Sequence, residues 1–134
     1  MVTDSAPSIH RVLVAWLSPL GKVSTRRLSG DPLPHRVVRR VDGRDVPEEG
    51  SDVAVVSVHT FAASDEAAEN EVELTHQRML ELVVNPLTEI PVGGGVVARI
   101  DYARVLMKPV LVEYDDDGHL VRHVGRYEIG VQYI

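Results

Sequence analysis

The sequence predicts an α+β fold, in which two α-helices pack on a mostly antiparallel, mixed β-sheet within a single domain, residues 1–134. Two segments, near 5–18 and 64–84, repeat apolar residues at helical spacing. Three β-branched runs lie between them, and a long strand-rich segment follows the second helix. The chain is 134 residues long and 44% hydrophobic, which is enough for one compact core and too short for two.

The first helix, predicted over about 5–18, carries one apolar stripe. Ile9, Leu13 and Trp16 recur at helical spacing, and Pro19 prevents the helix from continuing. Trp16 is the only tryptophan of the chain. We interpret it as an anchor in the core rather than a platform for a ligand.

Two β-leaning runs follow, over about 22–28 and 35–41. They are predicted to be neighbouring strands, because the prolines between them cannot lie inside a strand. Residues 42–50 combine an Asp-Gly pair, a proline and acidic residues, which is typical of a solvent-exposed loop. The second run carries a short basic cluster formed by Arg36, Arg39 and Arg40. No aromatic residue is interleaved with it, so we expect a solvated strand face or a subunit contact rather than nucleic-acid binding.

The strongest strand signal, over 52–61, has β-branched residues on both faces and predicts a central strand. It leads into the second helix, predicted over 64–84, where Ser64 can cap the first turn. The inward stripe of this helix is predicted to consist of Ala68, Val72, Thr75, Met79 and Leu82. Its opposite side is acidic and includes Glu66, Glu73 and Glu81.

An antiparallel meander is predicted over about 96–133, after a flexible turn at 91–95. Pro109 indicates a bend or an edge position within the meander. Gly125 indicates a bulge or a close approach of the backbone. The hairpin turn is predicted at 115–118, where three aspartates precede a glycine.

The residues offer no catalytic, cofactor-binding or metal-binding pattern, and we do not expect an enzyme. The chain has no cysteine, which excludes thiolate metal sites and disulfides. Residues 113–118 imitate the opening of a calcium loop, but Val124 stands where that loop needs a glutamate. Ser57 and His59 lie two apart on the central strand and are not expected to meet with catalytic geometry. His76 is interpreted as a packed or half-exposed residue.

Charge is distributed unevenly along the chain. The net charge of −6 argues against a protein that grips nucleic acid by neutralising phosphates. Residues 1–50 hold eight basic and six acidic residues, whereas 51–134 hold six and fourteen. Opposite charge on two patches would help to set the register of a head-to-tail assembly, and scattered surface charge explains the same counts. No apolar run reaches the length of a membrane span or a signal peptide, so we expect a cytoplasmic chain without a membrane partner.

Six short segments are spread over most of the chain: 15–19 (AWLSP), 30–34 (GDPLP), 52–62 (DVAVVSVHTFA), 75–79 (THQRM), 110–114 (VLVEY) and 126–130 (RYEIG). In order, length and sequence they resemble the tail terminator proteins of long, flexible-tailed phages (siphophages), particularly those that infect actinobacteria. None of the segments is a chemical motif. The resemblance therefore concerns the overall pattern of the chain.

The resemblance implies a structural protein of the virion, located in the tail–neck region and assembled in the host cytoplasm. It implies a homohexameric ring that binds the last ring of tail tube protein and stops tube polymerisation. The ring would also present a joining surface to the head–tail connector or stopper protein. DNA would pass through the ring without specific binding, and no cofactor is implied.

Two surfaces are candidates for these contacts. The first is the acidic face of the second helix, formed by Glu66, Glu73 and Glu81. It is expected to line the channel, where like charge keeps DNA from binding, or to face a neighbouring subunit. The second is the exposed edge of the meander, represented by Pro109, Arg122 and Arg126. It is expected to contact a subunit or the tube, because unpaired strand groups are templates for intermolecular pairing.

Two alternatives remain open at this point. A head-side neck connector or stopper protein has a similar size and composition, and the sequence separates it poorly from a tail terminator. A small-molecule binding module is the alternative from a different class, with a pocket near His59 and Tyr127 as its expected site. A tail tube subunit fits less well, because tube proteins are dominated by strands.

Overall fold

A computed structural model describes residues 6–114 and 120–134, in which two α-helices and one six-stranded sheet are formed. In chain order these are α1 (Ile9–Leu17), β1 (Lys22–Ser24), β2 (His35–Val46), β3 (Ser51–Ala62), α2 (Asp65–Val84), β4 (Thr88–Gly93), β5 (Val96–Tyr114) and β6 (Val121–Gln132). The strand order is β1-β2-β3-β6-β5-β4; β1 and β2 are parallel, and the other neighbours are antiparallel. The predicted α+β class with a mostly antiparallel, mixed sheet is confirmed.

Both helices pack on one face of the sheet and form the core with it. Leu13 of α1, Met79 of α2 and Ile129 of β6 are fully buried in the same cluster. α1 also joins two distant strands: Arg11 donates to the carbonyl oxygen of Gly93 on β4 (2.8 Å), and the N–H of Arg40 on β2 donates to His10 Nε2 (3.0 Å). Since β3, β6 and β5 lie between β2 and β4, the sheet curls around α1.

The second helix follows its prediction closely. The Ser64 hydroxyl oxygen accepts a hydrogen bond from the Ala67 N–H at 3.2 Å, which is the expected cap. Four residues of the predicted inward stripe are buried and the fifth is half-buried: Ala68, Thr75, Met79 and Leu82, with Val72.

Trp16 fastens α1 to α2 at the border of the core. Its indole N–H donates to the carbonyl oxygen of Arg78 at 2.9 Å, and Arg78 Nε donates to the carbonyl oxygen of Trp16 at 2.8 Å. The guanidinium carbon of Arg78 lies 3.5 Å from the centre of the indole ring, a cation–π contact. Trp16 thus serves as the predicted anchor.

Two elements are shorter than the sequence predicts. α1 begins at Ile9 rather than near residue 5, and Ala6 to Ser8 are not helical, because a residue that precedes proline avoids helical backbone angles. β1 ends at Ser24 rather than at residue 28. The Asp31 carboxylate accepts a hydrogen bond from the Leu28 N–H at 2.7 Å and holds the following residues in a turn.

The second strand is longer than predicted. β2 continues to Val46, through much of the segment for which the sequence predicts a loop, 42–50. The register shifts between Arg40 and Asp42, so that Val41 is an extra residue, and pairing with β3 resumes beyond it. Gly43 has a φ of 114°, which allows the strand to continue after this bulge. The Asp-Gly pair therefore marks a bulge, not a loop.

One strand is absent from the prediction altogether. β4 occupies Thr88–Gly93, where the sequence predicts a flexible turn at 91–95. Pro91 is compatible with this strand because β4 lies at the edge of the sheet, where a missing N–H leaves no partner unpaired. The turn itself is confined to Gly94 and Gly95, which both have positive φ.

The central strand and the meander are confirmed. β3 lies between β2 and β6, and β5 and β6 form the predicted antiparallel pair. At Gly125 the backbone is approached closely, as predicted: an added Cβ would lie 3.0 Å from the Tyr127 hydroxyl oxygen and 3.1 Å from Pro109 Cγ. The hairpin turn predicted at 115–118 lies outside the described residues.

Candidate interaction surface

The face of the sheet opposite the helices carries an ordered set of side chains across β2, β3 and β6. Residues that stand directly opposite each other in antiparallel strands project to the same face. Three such rows, read from β2 to β3 to β6, are Arg39–Ser57–Arg126, Val37–His59–Val124 and His35–Phe61–Arg122. We call Arg39, Arg122 and Arg126, which surround His59, the arginine face.

The arginine face borders a cavity of about 440 Å³. Its polar lining comes from the three arginines with Ser57, His59 and Arg40, and its apolar lining from Val41, Met107, Val112 and Val124. A smaller cavity of about 180 Å³ extends past Arg122 to Arg27 and Phe61. There the guanidinium carbons of Arg27 and Arg122 lie 5.3 and 5.8 Å from the centre of the Phe61 ring.

The electrostatic character of this surface is cationic. Burial, followed by the charges of Arg122, Arg39 and Arg126, lowers the pKa of His59 below its usual value. Arg39 and Arg126 are exposed, and neither forms an ion pair with a carboxylate within the described part of the chain. In a protein with a net charge of −6, this concentration of positive charge favours an anionic partner.

The three arginines of the basic cluster predicted on β2 do not share one environment. Arg36 projects to the helix side and is fully buried, where its Nη2 donates to a Glu71 carboxylate oxygen at 2.6 Å and its Nε to the Thr75 hydroxyl at 2.8 Å. Arg40 forms a bidentate pair with the Asp52 carboxylate at 2.7 and 2.9 Å. The expectation of a solvated face or subunit contact is therefore wrong for Arg36. Alternation along the strand leaves Arg39 as the exposed member.

Ser57 and His59 contact each other on the sheet face opposite the helices. The Ser57 hydroxyl oxygen lies 3.0 Å from His59 Nε2, because both side chains project from the same face of β3. The pair is poorly suited to nucleophilic catalysis. Ser57 is only 3% exposed, and the surrounding arginines oppose the imidazolium that a general base must become. We interpret the contact as structural.

The acidic residues predicted on α2 all lie on its exposed side. Glu66 and Glu73 are exposed, and Glu81 is exposed but pairs with Arg78 at 3.0 Å. Glu69, one turn from Glu66, belongs to the same side, since residues three and four apart are neighbours on a helix. We call Glu66, Glu69 and Glu73 the acidic helix face. None of the three pairs with a cation of the described residues.

Of the residues predicted to lie at an exposed sheet edge, only one does so. β6 is hydrogen-bonded to both β3 and β5, so Arg122 and Arg126 belong to an interior strand, and the expectation of an edge position is wrong for them. Pro109 does lie at an edge. β4 pairs with β5 only as far as Ile100, and beyond that point β6 is the one described partner of β5. Three register shifts between Val105 and Glu113 also bend the strand around Pro109.

The free half of β5 exposes apolar side chains. Leu106, Val110, Leu111 and Val112 each keep between 44% and 48% of their surface in solvent. Lys108, Pro109 and the register shifts interrupt the strand edge, and such features discourage the addition of another strand. Contact through side chains is thus better supported here than β-pairing. Val112 belongs to this apolar strip and also lines the arginine-face cavity, which makes the two surfaces continuous.

The pocket proposed near His59 and Tyr127 is not formed. His59 projects into the arginine-face cavity, whereas the Tyr127 hydroxyl lies on the helix side, 2.8 Å from His76 Nδ1. The two side chains belong to opposite faces of the sheet. His76 is half-buried, as predicted, and burial followed by the charge of Lys108 lowers its pKa.

Within residues 6–114 and 120–134, no group of three or more metal-ligating side chains comes together. The segment that imitates a calcium loop, 113–118, falls mostly outside that range. Neither described helix combines the length and the apolar character needed to cross a membrane.

Comparisons with protein-family models and with curated proteins give no match to this chain. The resemblance to tail terminators therefore stands on the six sequence segments alone. The geometry contributes a separate observation, which is a cationic and partly apolar surface on the sheet face opposite the helices.

Proposed function

We propose that this chain is a tail terminator of a long, flexible-tailed phage: a virion structural protein that forms a ring on the end of the tail tube. In this role it stops tube polymerisation and provides the joining surface for the head connector. The subunit is made in the host cytoplasm and ends in the tail–neck region of the virion. It acts through protein contacts and not as an enzyme.

The observation that carries the proposal is the surface formed by the arginine face and the apolar strip of β5. Protein interfaces are enriched in arginine, methionine and aromatic residues, and contiguous exposed apolar residues mark contact sites. Here Arg39 and Arg126 lie beside Met107 and Val112 around one cavity. A chain that presents such a surface is suited to assembly with other subunits.

The proposed partners are further copies of the chain in a homohexameric ring, the tail tube protein and the head–tail connector or stopper. Pro109 and the apolar strip of β5 form a candidate contact for the tube. DNA passes through the ring without specific binding. Glu66, Glu73 and Glu81, all exposed, supply negative charge that suits either the channel wall or a neighbouring subunit.

The decisive experiment is electron microscopy of particles from a phage that carries an early stop codon in this gene. The proposal predicts abnormally long, headless tails, because nothing caps the growing tube. Supplying the intact gene in trans should restore tails of normal length and attached heads. Normal tails with attached heads in the mutant would overturn the assignment to the tail.

The same micrographs separate the nearest alternative. If the subunit is a head-side connector or stopper, the mutant yields tails of normal length beside filled, unattached heads. The cavity of about 440 Å³ favours a small-molecule binding module as a second candidate, since ligand pockets span about 300 to 1,000 Å³. That function predicts no tail defect and a saturable change in thermal stability with a small anion.

A further inference from the structure

We infer that the arginine face docks on the acidic helix face of a second copy of this chain, in a head-to-tail contact. The occupant of the cavity is then the α2 helix of a neighbour, with Glu66 and Glu73 facing Arg126 and Arg39 in either order. This contact deepens the proposed function, and rests on it in so far as the subunit is proposed to assemble with itself.

The placement of the two surfaces permits such a contact. The arginine face lies on the side of the sheet away from the helices, whereas α2 packs on the other side through Met79 and Leu82 and turns the acidic helix face outward. One subunit therefore presents its cationic and its anionic surface in opposite directions. A contact between two different patches can repeat from copy to copy, which is the geometry that builds rings and filaments.

The spacing of the charges is also compatible. Arg39 and Arg126 both stand opposite Ser57, one strand to either side, so their backbones are two strand spacings apart, about 10 Å. Glu66 and Glu73 are seven residues apart on one helix, which is about 10 Å along its axis. Two glutamates that lie two helical turns apart can thus meet two arginines across the β3 strand.

The chemistry of both surfaces favours this pairing. Guanidinium groups bind carboxylates with two parallel hydrogen bonds, and Arg39 and Arg126 have no such partner among the described side chains. Leu74, next to Glu73 on the exposed side of α2, is 49% exposed and can contact the apolar lining that Met107 and Val112 provide. The contact would therefore combine charge complementarity with apolar burial.

Nucleic acid is a less suitable occupant of the same surface. A chain with a net charge of −6 repels phosphates at long range, and the acidic α2 helix would accompany any approach. The cavity also contains four apolar side chains, which a phosphate backbone would not satisfy. DNA binding is nevertheless a distinct outcome of the test below.

The test is a charge exchange between the two surfaces, read by sedimentation velocity. The first variant is Arg39→Glu/Arg126→Glu, the second is Glu66→Lys/Glu73→Lys, and the third combines all four changes. Each Arg→Glu or Glu→Lys change alters the charge by two, so the first variant has −10, the second −2 and the third the original −6. Arg44→Glu/Arg99→Glu, at exposed positions that do not line the cavity, is the control with −10.

The unmodified chain is expected to self-associate at protein concentrations up to about 1 mM and ionic strength of about 0.01 M, and less at about 1 M. The first and second variants should each associate about 100-fold more weakly. The third variant should associate again, and so should a mixture of the first and second, because opposite charges then face each other. The control should behave as the unmodified chain, and all variants should unfold at similar temperatures.

Several results would overturn the inference. They are a chain that stays monomeric at about 1 mM in low salt, a third variant that fails to recover, or a control that loses association as well. Loss of duplex-DNA binding in the first variant, with self-association unchanged, would assign the arginine face to a polyanion instead.

The outcome is independent of the micrographs of the stop-codon phage. Suppose that association follows the charge exchange, but the stop-codon phage makes normal tails. The contact between copies would then be supported, and the tail function would be rejected. Long headless tails with no charge-dependent association would do the reverse.

Discussion

Arginine side chains have different environments on the two faces of the sheet. Arg36 and Arg39 lie three residues apart on β2 and project to different faces. On the helix face Arg36 is fully buried, with Glu71 and Thr75 as partners. On the open face Arg39 is exposed beside a cavity and has no ion pair within the described residues. A buried arginine whose donors are hydrogen-bonded stabilises the fold, whereas an exposed and unpaired arginine remains available to bind a partner.

Replacing each arginine by methionine should give the largest contrast between the faces. Arg36→Met removes the donor to the Glu71 carboxylate and one of two donors to the Thr75 hydroxyl, and the free energy of unfolding should fall by about 3 kcal/mol or more. Arg39→Met should change it by no more than about 0.5 kcal/mol. Urea unfolding followed by circular dichroism measures both. Similar losses in the two variants would contradict the distinction between the faces.

Two glycines of β6 provide a smaller contrast of the same kind. On the helix face, a Cβ at Gly125 would press on Pro109 and the buried Tyr127, which cannot move aside, so Gly125→Ala should destabilise the protein by about 1 to 3 kcal/mol. On the open face, a Cβ at Gly130 would overlap the ring of Tyr102, which is 36% exposed. That ring can swing into solvent.

Gly130→Ala should therefore cost less than about 1 kcal/mol, mainly through loss of the hydrogen bond from the Tyr102 hydroxyl to Glu128. Thermal unfolding of the two alanine variants shows which substitution destabilises the protein more. If Gly130→Ala were the more damaging change, the open face would be packed as rigidly as the core.

Periodicity accounts for what the sequence predicts well. The stripe of α2 and the continuous apolar run of β3 are strong local signals, and they predict both elements to within one residue of their observed bounds. The remaining strands are harder to predict, because residues typical of turns occur within them. Pro91 and the glycines after it obscure β4, and the Asp-Gly pair at 42–43 obscures the second half of β2, because turn residues also occur at edges and bulges.

The arginine face is a harder case, because it depends on pairing between distant parts of the chain. Period-two alternation along the strand separates Arg39 from Arg36 and Arg40. It does not show which of the three arginines is buried. The row Arg39–Ser57–Arg126 needs the register of β3 against β6, strands that are far apart in sequence. A one-residue slip would send Arg126 to the other face. The charge counts of the two parts of the sequence do not reveal this surface either, because Arg39 comes from residues 1–50 and Arg122 and Arg126 come from residues 51–134.

The smallest expected effect concerns two histidines, one on each face. Burial is the main cause that lowers the pKa of both, but Arg122, Arg39 and Arg126 lower the pKa of His59 further, whereas Lys108 does so for His76. In Arg39→Gln/Arg126→Gln the pKa of His59 should rise toward its usual value, and that of His76 should not change. Two-dimensional NMR titration of the imidazole rings resolves the two residues.

The stability of the protein should follow the same change. A histidine whose pKa is lower in the folded than in the unfolded chain favours folding fully above the unfolded value of 6.5, and this contribution is lost as the pH falls through the folded pKa. Because the unfolded chain binds more protons in that window, the free energy of unfolding decreases with falling pH. The decrease should be shallower in Arg39→Gln/Arg126→Gln than in the unmodified protein. An unchanged slope, together with an unchanged His59 titration, would mean that the arginines do not act on His59 and that the cationic field of the open face is weaker than its geometry indicates.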